Sequence, residues 1–260
     1  LAIGGSDSSG SAGVQADLKT YEAFGVFGMT ALTVVTAQNT LGVQHAHPLP
    51  VEMVQAQLQS VLNDIGANAL KTGLLGRASI IRLLAEILLE HSEIPLVVDP
   101  VLVNGQGQRI VDDDTLRAYQ ENLFPLATII TPNLDEACLL TGQPLAQQPT
   151  TFYEIARNLY EFGSKFVLIK GGHLDTSTIL DLLFDGQQFI ELRATAQPID
   201  NPHGIGCTFA SAIAAGLALG EPPAAAVQQA HQFVQNALRG TAGWRLGAGR
   251  SPVNHRAGRP

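Results

Sequence analysis

The chain has 260 residues, 45% of them hydrophobic, a formal net charge of -8 and a pI near 5.3. This acidity excludes a general nucleic-acid binder, which needs a surplus of Lys and Arg facing the phosphates; any anion must be held locally, by one or two aimed cations and by backbone N–H groups. Two cysteines, Cys138 and Cys207, are too few for a disulfide framework and fit free thiols in a reducing cytoplasm.

The uncharged run 207–219 falls short of the ~20 apolar residues a membrane-spanning helix needs. No basic leader opens the chain, so neither a membrane role nor secretion is expected. Leu1 reads as lying inside a strand, so a few residues are expected upstream. With no Pro/Ser/Gly-rich linker and no internal repeat, one domain is predicted over 1–260.

In chain order, short β-branched runs at 1–3, 31–36, 69–72, 96–98, 128–131 and 166–170 predict strands. Between them, Val14, Leu18 and Tyr21, and then Val51, Val54, Leu58, Val61 and Leu62, recur at helical spacing. Further helices are predicted over 79–90, 113–122, 134–140 and 151–162. Runs 179–184 and 188–193 around Asp185-Gly186 read as a hairpin. Helices over 207–219 and 223–238 close the pattern. Alternation of strand and helix is the sequence form of an α/β fold with a mostly parallel sheet. In such sheets ligands bind beyond the carboxyl ends of strands. Here those ends carry Gly4-Gly5-Ser6-Asp7, Gln38-Asn39, Asp99-Pro100, Pro132-Asn133 and Lys170-Gly171-Gly172-His173, which are expected to share one rim.

The segment Asp200-Asn201-Pro202-His203-Gly204-Ile205-Gly206-Cys207-Thr208 is a glycine-rich turn entering an apolar helix. Glycines let backbone approach a phosphate, and the first helical N–H groups lack an internal partner, so the turn is an anion site. The helix dipole there also favours a thiolate at Cys207. An ordinary tight turn with a small buried Cys is the competing reading. Neither a dinucleotide G-x-G-x-x-G after the first strand nor a G-x-x-x-x-G-K-[ST] loop is present. His203 and His173 have no metal-like spacing to Cys or carboxylate, which argues against zinc and for a hydrogen-bonding role. Cys138 reads as core, and Trp244 with Gly247-Ala248-Gly249-Arg250 is expected over the nucleotide side.

The ordered set Gly4-Gly5-Ser6-Asp7, Ala12-Gly13-Val14-Gln15-Ala16-Asp17, Thr36-Ala37-Gln38-Asn39-Thr40, Lys71-Thr72-Gly73, Asp99-Pro100-Val101, Thr131-Pro132-Asn133 with Glu136, Lys170-Gly171-Gly172-His173, His203 to Thr208, and Pro252-Val253-Asn254-His255 resembles the hydroxymethylpyrimidine/phosphomethylpyrimidine kinases of thiamine biosynthesis. The resemblance covers essentially the whole chain. It implies a ribokinase-like three-layer α/β/α sandwich, ATP and Mg²⁺, a small-molecule pyrimidine substrate and a cytoplasmic homodimer.

Residue by residue, the resemblance implies that Asp7, Gln38 and Val101 contact the pyrimidine, and that Asn133, Glu136, Lys170, Gly172, His203, Gly204 and Gly206 serve ATP and Mg²⁺. It implies Asp99 and Glu136 as Mg²⁺ ligands, and Cys207, Gly204, Gly206 and Lys170 as catalytic, with Cys207 as base where related sugar kinases place an Asp. Chemistry agrees in part. A Gln amide suits an aminopyrimidine edge, Mg²⁺ takes oxygen ligands and keeps waters, and a buried Lys170 needs an anionic partner. Bland readings stand beside these: Gln38 as a strand-end cap, Asp7 as a turn former, and Asn133 with Glu136 as a capping box.

Pro202 and Ile205 stand where the family usually has Thr. The flap Leu102-Val103-Asn104-Gly105-Gln106-Gly107, expected to be a mobile polar lid, lacks the family's Lys, which weakens the case for phosphorylating the monophosphate. The alternatives are a pyridoxal or pyridoxine kinase, and a ligand-binding regulatory module with weak turnover.

Overall fold

The computed structural model describes residues 1–143, 149–173, 178–197, 199, 202–244 and 246–258. Asp200, Asn201 and the side chain of His173 lie outside the described residues. Two compact units emerge, one formed by 1–75 with 197–260 and the other by 76–196.

The first unit begins with β1 (Ala2–Asp7), α1 (Gly13–Ala23), β2 (Thr30–Asn39), β3 (Gly42–Pro48), α2 (Val51–Leu62) and β4 (Leu70–Thr72). Strand β1 pairs in parallel with both β2 and β4, while β3 runs antiparallel along β2. Gly4 to Asp7 and Gln38-Asn39 therefore belong to the strands themselves, not to loops beyond them. Strand β3 was not predicted, for a physical reason: after Gly42 all its residues are exposed, so there is no buried alternation to read.

The second unit holds α3 (Ala78–Leu89), β5 (Leu96–Val98), α4 (Asp113–Ala118), β6 (Ile129–Ile130), α5 (Leu134–Thr141), α6 (Pro149–Tyr160), β7 (Phe166–His173), β8 (Thr178–Phe184) and β9 (Phe189–Thr195). Strands β5, β6 and β7 are parallel, and β7, β8 and β9 antiparallel, with the hairpin turning at Asp185-Gly186 as predicted. Helix α3 buries Ile80, Ile81, Leu84 and Leu88 on one stripe, each contributing about 1.5–3 kcal/mol when fully withdrawn from water. The helix predicted over 113–122 leaves α geometry at Tyr119, and a π turn and a 3₁₀ turn carry the chain through Pro125.

The chain then returns to the first unit with α7 (Ile205–Ala218) and α8 (Pro223–Arg239). Helix α7 is buried from Thr208 to Leu217 and packs against α1, α8 and β4. Its all-round apolarity is that of a central helix. Among the described residues no helix is long and apolar enough to cross a membrane.

Candidate active site

In the first unit, Asp7 closes β1 and is 2% exposed. Its carboxylate accepts from the Ser9 and Ala12 amides, both at 2.8 Å, from the Ser11 amide at 3.2 Å and from the Ser9 hydroxyl at 2.9 Å. Asp7 is thus the organiser of the loop entering α1, the turn-forming reading. It also lies 3.8 Å from the Nε2 atom of His203. That ring nitrogen is 2.7 Å from the Gln38 amide nitrogen, so His203 sits with the residues expected on the acceptor side. Burial, with Arg250 nearby, lowers the His203 pKa against the opposing effect of Asp7. A neutral imidazole follows at neutral pH.

Gly204 caps α7 with φ of 90°, a left-handed conformation that costs an L side chain energy. A Cβ there would also run into the Ser11 carbonyl oxygen. The first bond within α7 runs from the Thr208 amide to the Gly204 carbonyl at 2.9 Å. The amides of Ile205 and Gly206 come before it, in the first turn, whose N–H groups have no intrahelical partner. Cys207, the third residue of α7, is half-buried.

Thr208 also meets His255, Oγ1 to Nε2 at 3.0 Å. The C-terminal segment straps this turn from outside: His203 donates its amide to the Ser251 carbonyl at 2.8 Å, and Arg250 reaches the Pro202 carbonyl at 3.1 Å. The Arg250 amide bonds the Thr40 carbonyl at 2.8 Å, so this segment is placed by the end of β2. Trp244 is 40% exposed.

In the second unit, Lys170 on β7 bonds Asp99 Oδ1 at 2.5 Å, with side chains 11% and 5% exposed. The anion expected for Lys170 is therefore Asp99, just past β5. A register shift in β7 between Ile169 and Gly172 re-aims the strand at this point. Thr131 donates to the same Oδ1 at 3.1 Å, and no described residue bonds Oδ2. Gly172 lies in β7 opposite Leu180, and Val101 is half-buried beyond Asp99.

Asn133 and Glu136 form a complete capping box on α5, with both bonds at 2.9 Å. The other Glu136 oxygen accepts the Leu102 amide at 3.1 Å, which ties the base of the flap to α5. The flap is a closed turn: Asn104 Oδ1 accepts the Gln106 and Gln108 amides at 2.9 and 3.0 Å. Among the described residues no group of three or more His, Cys, Asp or Glu could hold a metal ion.

Burial pushes the Glu136 carboxyl up from 4.5 to about 7, against the pull of Lys170 and helped by the charge on Asp99. The sign follows from the raised folded value. Glu136 stabilises the fold fully below about 4.5, and that stabilisation is lost as pH rises through about 7. Thermal unfolding of the ligand-free protein from pH 5 to 8 should show this decline, on the order of 1–3 kcal/mol. It should be absent from Glu136→Gln; equal slopes in the two proteins would contradict the assignment.

Sequence reading missed a fully buried cluster beneath α7. Lys71 on β4 bonds both oxygens of Asp17 on α1, at 2.9 and 3.0 Å, and Ser211 on α7 donates to Asp17 at 2.6 Å. The available signal was Lys71 directly after Ala69-Leu70 in a predicted strand, since a buried Lys needs an anionic partner; Asp17, on a helix with Lys19 and Glu22, gave none. Ser8 was missed as well; its hydroxyl accepts the Gln38 amide at 2.8 Å and donates to the Gln38 carbonyl at 2.7 Å.

The sequence model of the family described as phosphomethylpyrimidine kinase matches residues 7–254. A hydroxymethylpyrimidine/phosphomethylpyrimidine kinase of Streptomyces coelicolor is 47% identical over 255 residues, 98% of this chain and 93% of that protein. Among solved structures, an ADP complex of Bacillus subtilis pyridoxal kinase matches with a TM-score of 0.91 at 36% identity, over 98% of this chain and 97% of that one. A phosphomethylpyrimidine kinase from Clostridium difficile matches with a TM-score of 0.81 at 36% identity, over 92% and 98% of the two chains. These likenesses establish the α/β, ribokinase-like fold class with its mostly parallel sheet. With a family match running from Asp7 to Asn254 and near-half identity to a named member, the chain belongs to the phosphomethylpyrimidine kinase family.

Proposed function

We propose that the protein transfers the γ-phosphoryl group of ATP to the hydroxymethyl group of 4-amino-5-hydroxymethyl-2-methylpyrimidine, and to the resulting monophosphate, in thiamine biosynthesis. The observation that carries this reading is the family match over residues 7–254, which spans Asp7, Gln38, Asp99, Lys170 and Cys207. The acceptor oxygen attacks phosphorus, the bond to the β–γ bridging oxygen of ATP breaks, and the hydroxyl proton passes to the Cys207 sulfur. Helix N-terminal position favours the ionised sulfur. The Ile205 and Gly206 amides neutralise charge on the transferring group. Gln38 reads the ring edge, with Asp7 holding the loop beside it.

On the nucleotide side, Lys170 balances phosphate charge and Asn133 offers its amide. The residues fit Mg²⁺ modestly: Asp99 keeps one oxygen that no described residue bonds, and Glu136 accepts one N–H on each oxygen. Mg²⁺ bound through one or two carboxylates, with phosphates and waters completing its shell, would neutralise charge on the phosphates. We place this activity in a single functional domain over 1–260, in a cytoplasmic homodimer.

A second reading, pyridoxal kinase, is favoured by the TM-score of 0.91 to that enzyme of Bacillus subtilis. Incubating the protein with MgATP and, separately, the aminopyrimidine, its monophosphate, pyridoxal and ribose decides between them through ADP release and product mass. The aminopyrimidine should give the highest kcat/KM; faster turnover of pyridoxal, or none of any acceptor, would overturn the proposal.

A further inference from the structure

We infer that His203 is the residue that sets acceptor specificity, by locking the Gln38 side-chain amide in one orientation. This rests on the kinase reading above, with Gln38 as the contact to the acceptor ring.

Gln38 is pinned at every level. Its backbone N–H and carbonyl are both bonded by the Ser8 hydroxyl, at 2.8 and 2.7 Å. The β2–β3 ladder shifts register between Ala37 and Gln38, an irregularity of the kind that re-aims a side chain. The side chain ends 2.7 Å from His203 Nε2.

An amide is a donor at one end and an acceptor at the other, so turning it over inverts the pattern a ring edge meets. The other near polar atom does not choose the orientation. Thr36 Oγ1 stands 3.4 Å from the amide oxygen and directs its own proton to the Ser6 carbonyl at 2.7 Å. His203 Nε2 has one role in a given tautomer, and that role decides which end of Gln38 faces it.

His203 is itself fixed. Its amide bonds the Ser251 carbonyl at 2.8 Å, it bridges to Pro252, and Asp7 and Arg250 are the charged groups that act on its ring. Being next to Gly204, it joins ring recognition to the turn that carries Cys207. A long Gln side chain held before the ligand arrives loses little freedom on binding, which is how a single amide discriminates strongly.

The test is a double-mutant cycle of His203→Leu and Gln38→Ala, with His203→Gln as the conservative variant, read on the aminopyrimidine and on pyridoxal. His203→Leu should raise KM for the aminopyrimidine about tenfold, a larger change than in kcat or in ADP affinity. The aminopyrimidine-to-pyridoxal preference should shrink alike in His203→Leu, Gln38→Ala and the double variant, because the two residues act as one. His203→Gln, which keeps a polar group within reach of Gln38, should recover part of the preference, and it carries the test alone if the Leu variant fails to fold. Additive effects, an unchanged preference, or loss of ADP binding in place of the KM effect would overturn the inference. A wild-type protein that turns over neither acceptor overturns the kinase reading alone, and the cycle is then read on the calorimetric affinity for the aminopyrimidine.

Discussion

Replacing Cys207 with Ala is expected to lower kcat by about 10²–10⁴-fold, the range a positioned general base contributes, while ADP affinity is retained. The sulfur stands at the third residue of α7 and is half-buried, so it has both a reason to ionise and a route to a ligand. Removing it takes away the proton acceptor and leaves the amides of Ile205 and Gly206 in place. Cys207→Asp, which restores a base of different reach, should recover part of the lost rate where Ala and Ser do not. An alanine variant with wild-type kcat would remove Cys207 from the chemistry.

Gly204→Ala should act by geometry. Its φ of 90° penalises any side chain, about 1–2 kcal/mol for the left-handed conformation, and the new methyl would meet the Ser11 carbonyl oxygen. Ser11 cannot retreat freely, since its amide belongs to the set around Asp7. The turn must shift instead, and a displacement of about 1 Å at reacting groups costs roughly 10²-fold in rate. Gly220→Ala is the control. That glycine has a similar φ of 88° with nothing within 4 Å of the added Cβ. It should lose about 1 kcal/mol of stability and keep its kinetics. Equal kinetic effects at both positions would show that Gly204 acts through folding alone.

Local rules made much of this legible. The Asp185-Gly186 hairpin, the capping box of Asn133 and Glu136, and the buried Cys138 each depend on residues close in sequence. Lys170 was legible in principle, because a charge closing an apolar strand demands an anion; only the identity of Asp99, 71 residues away, was not. The Gln38–His203 contact spans 165 residues and the Lys71–Asp17 pair 54, and no spacing rule reaches that far. Strand β3 was hidden because it buries almost nothing. The glycines of Gly4-Gly5 obscured the length of β1, since a residue without a side chain gives no alternation to follow.

The proposed phosphoryl transfer depends on the amides at the start of α7. A crystal structure with a non-hydrolysable ATP analogue and the aminopyrimidine should place terminal phosphate oxygens within hydrogen-bond reach of the Ile205 and Gly206 N–H groups, with the acceptor hydroxyl beside the Cys207 sulfur. A terminal phosphate bound away from that turn, or a Cys207 sulfur with no access to either ligand, would contradict it.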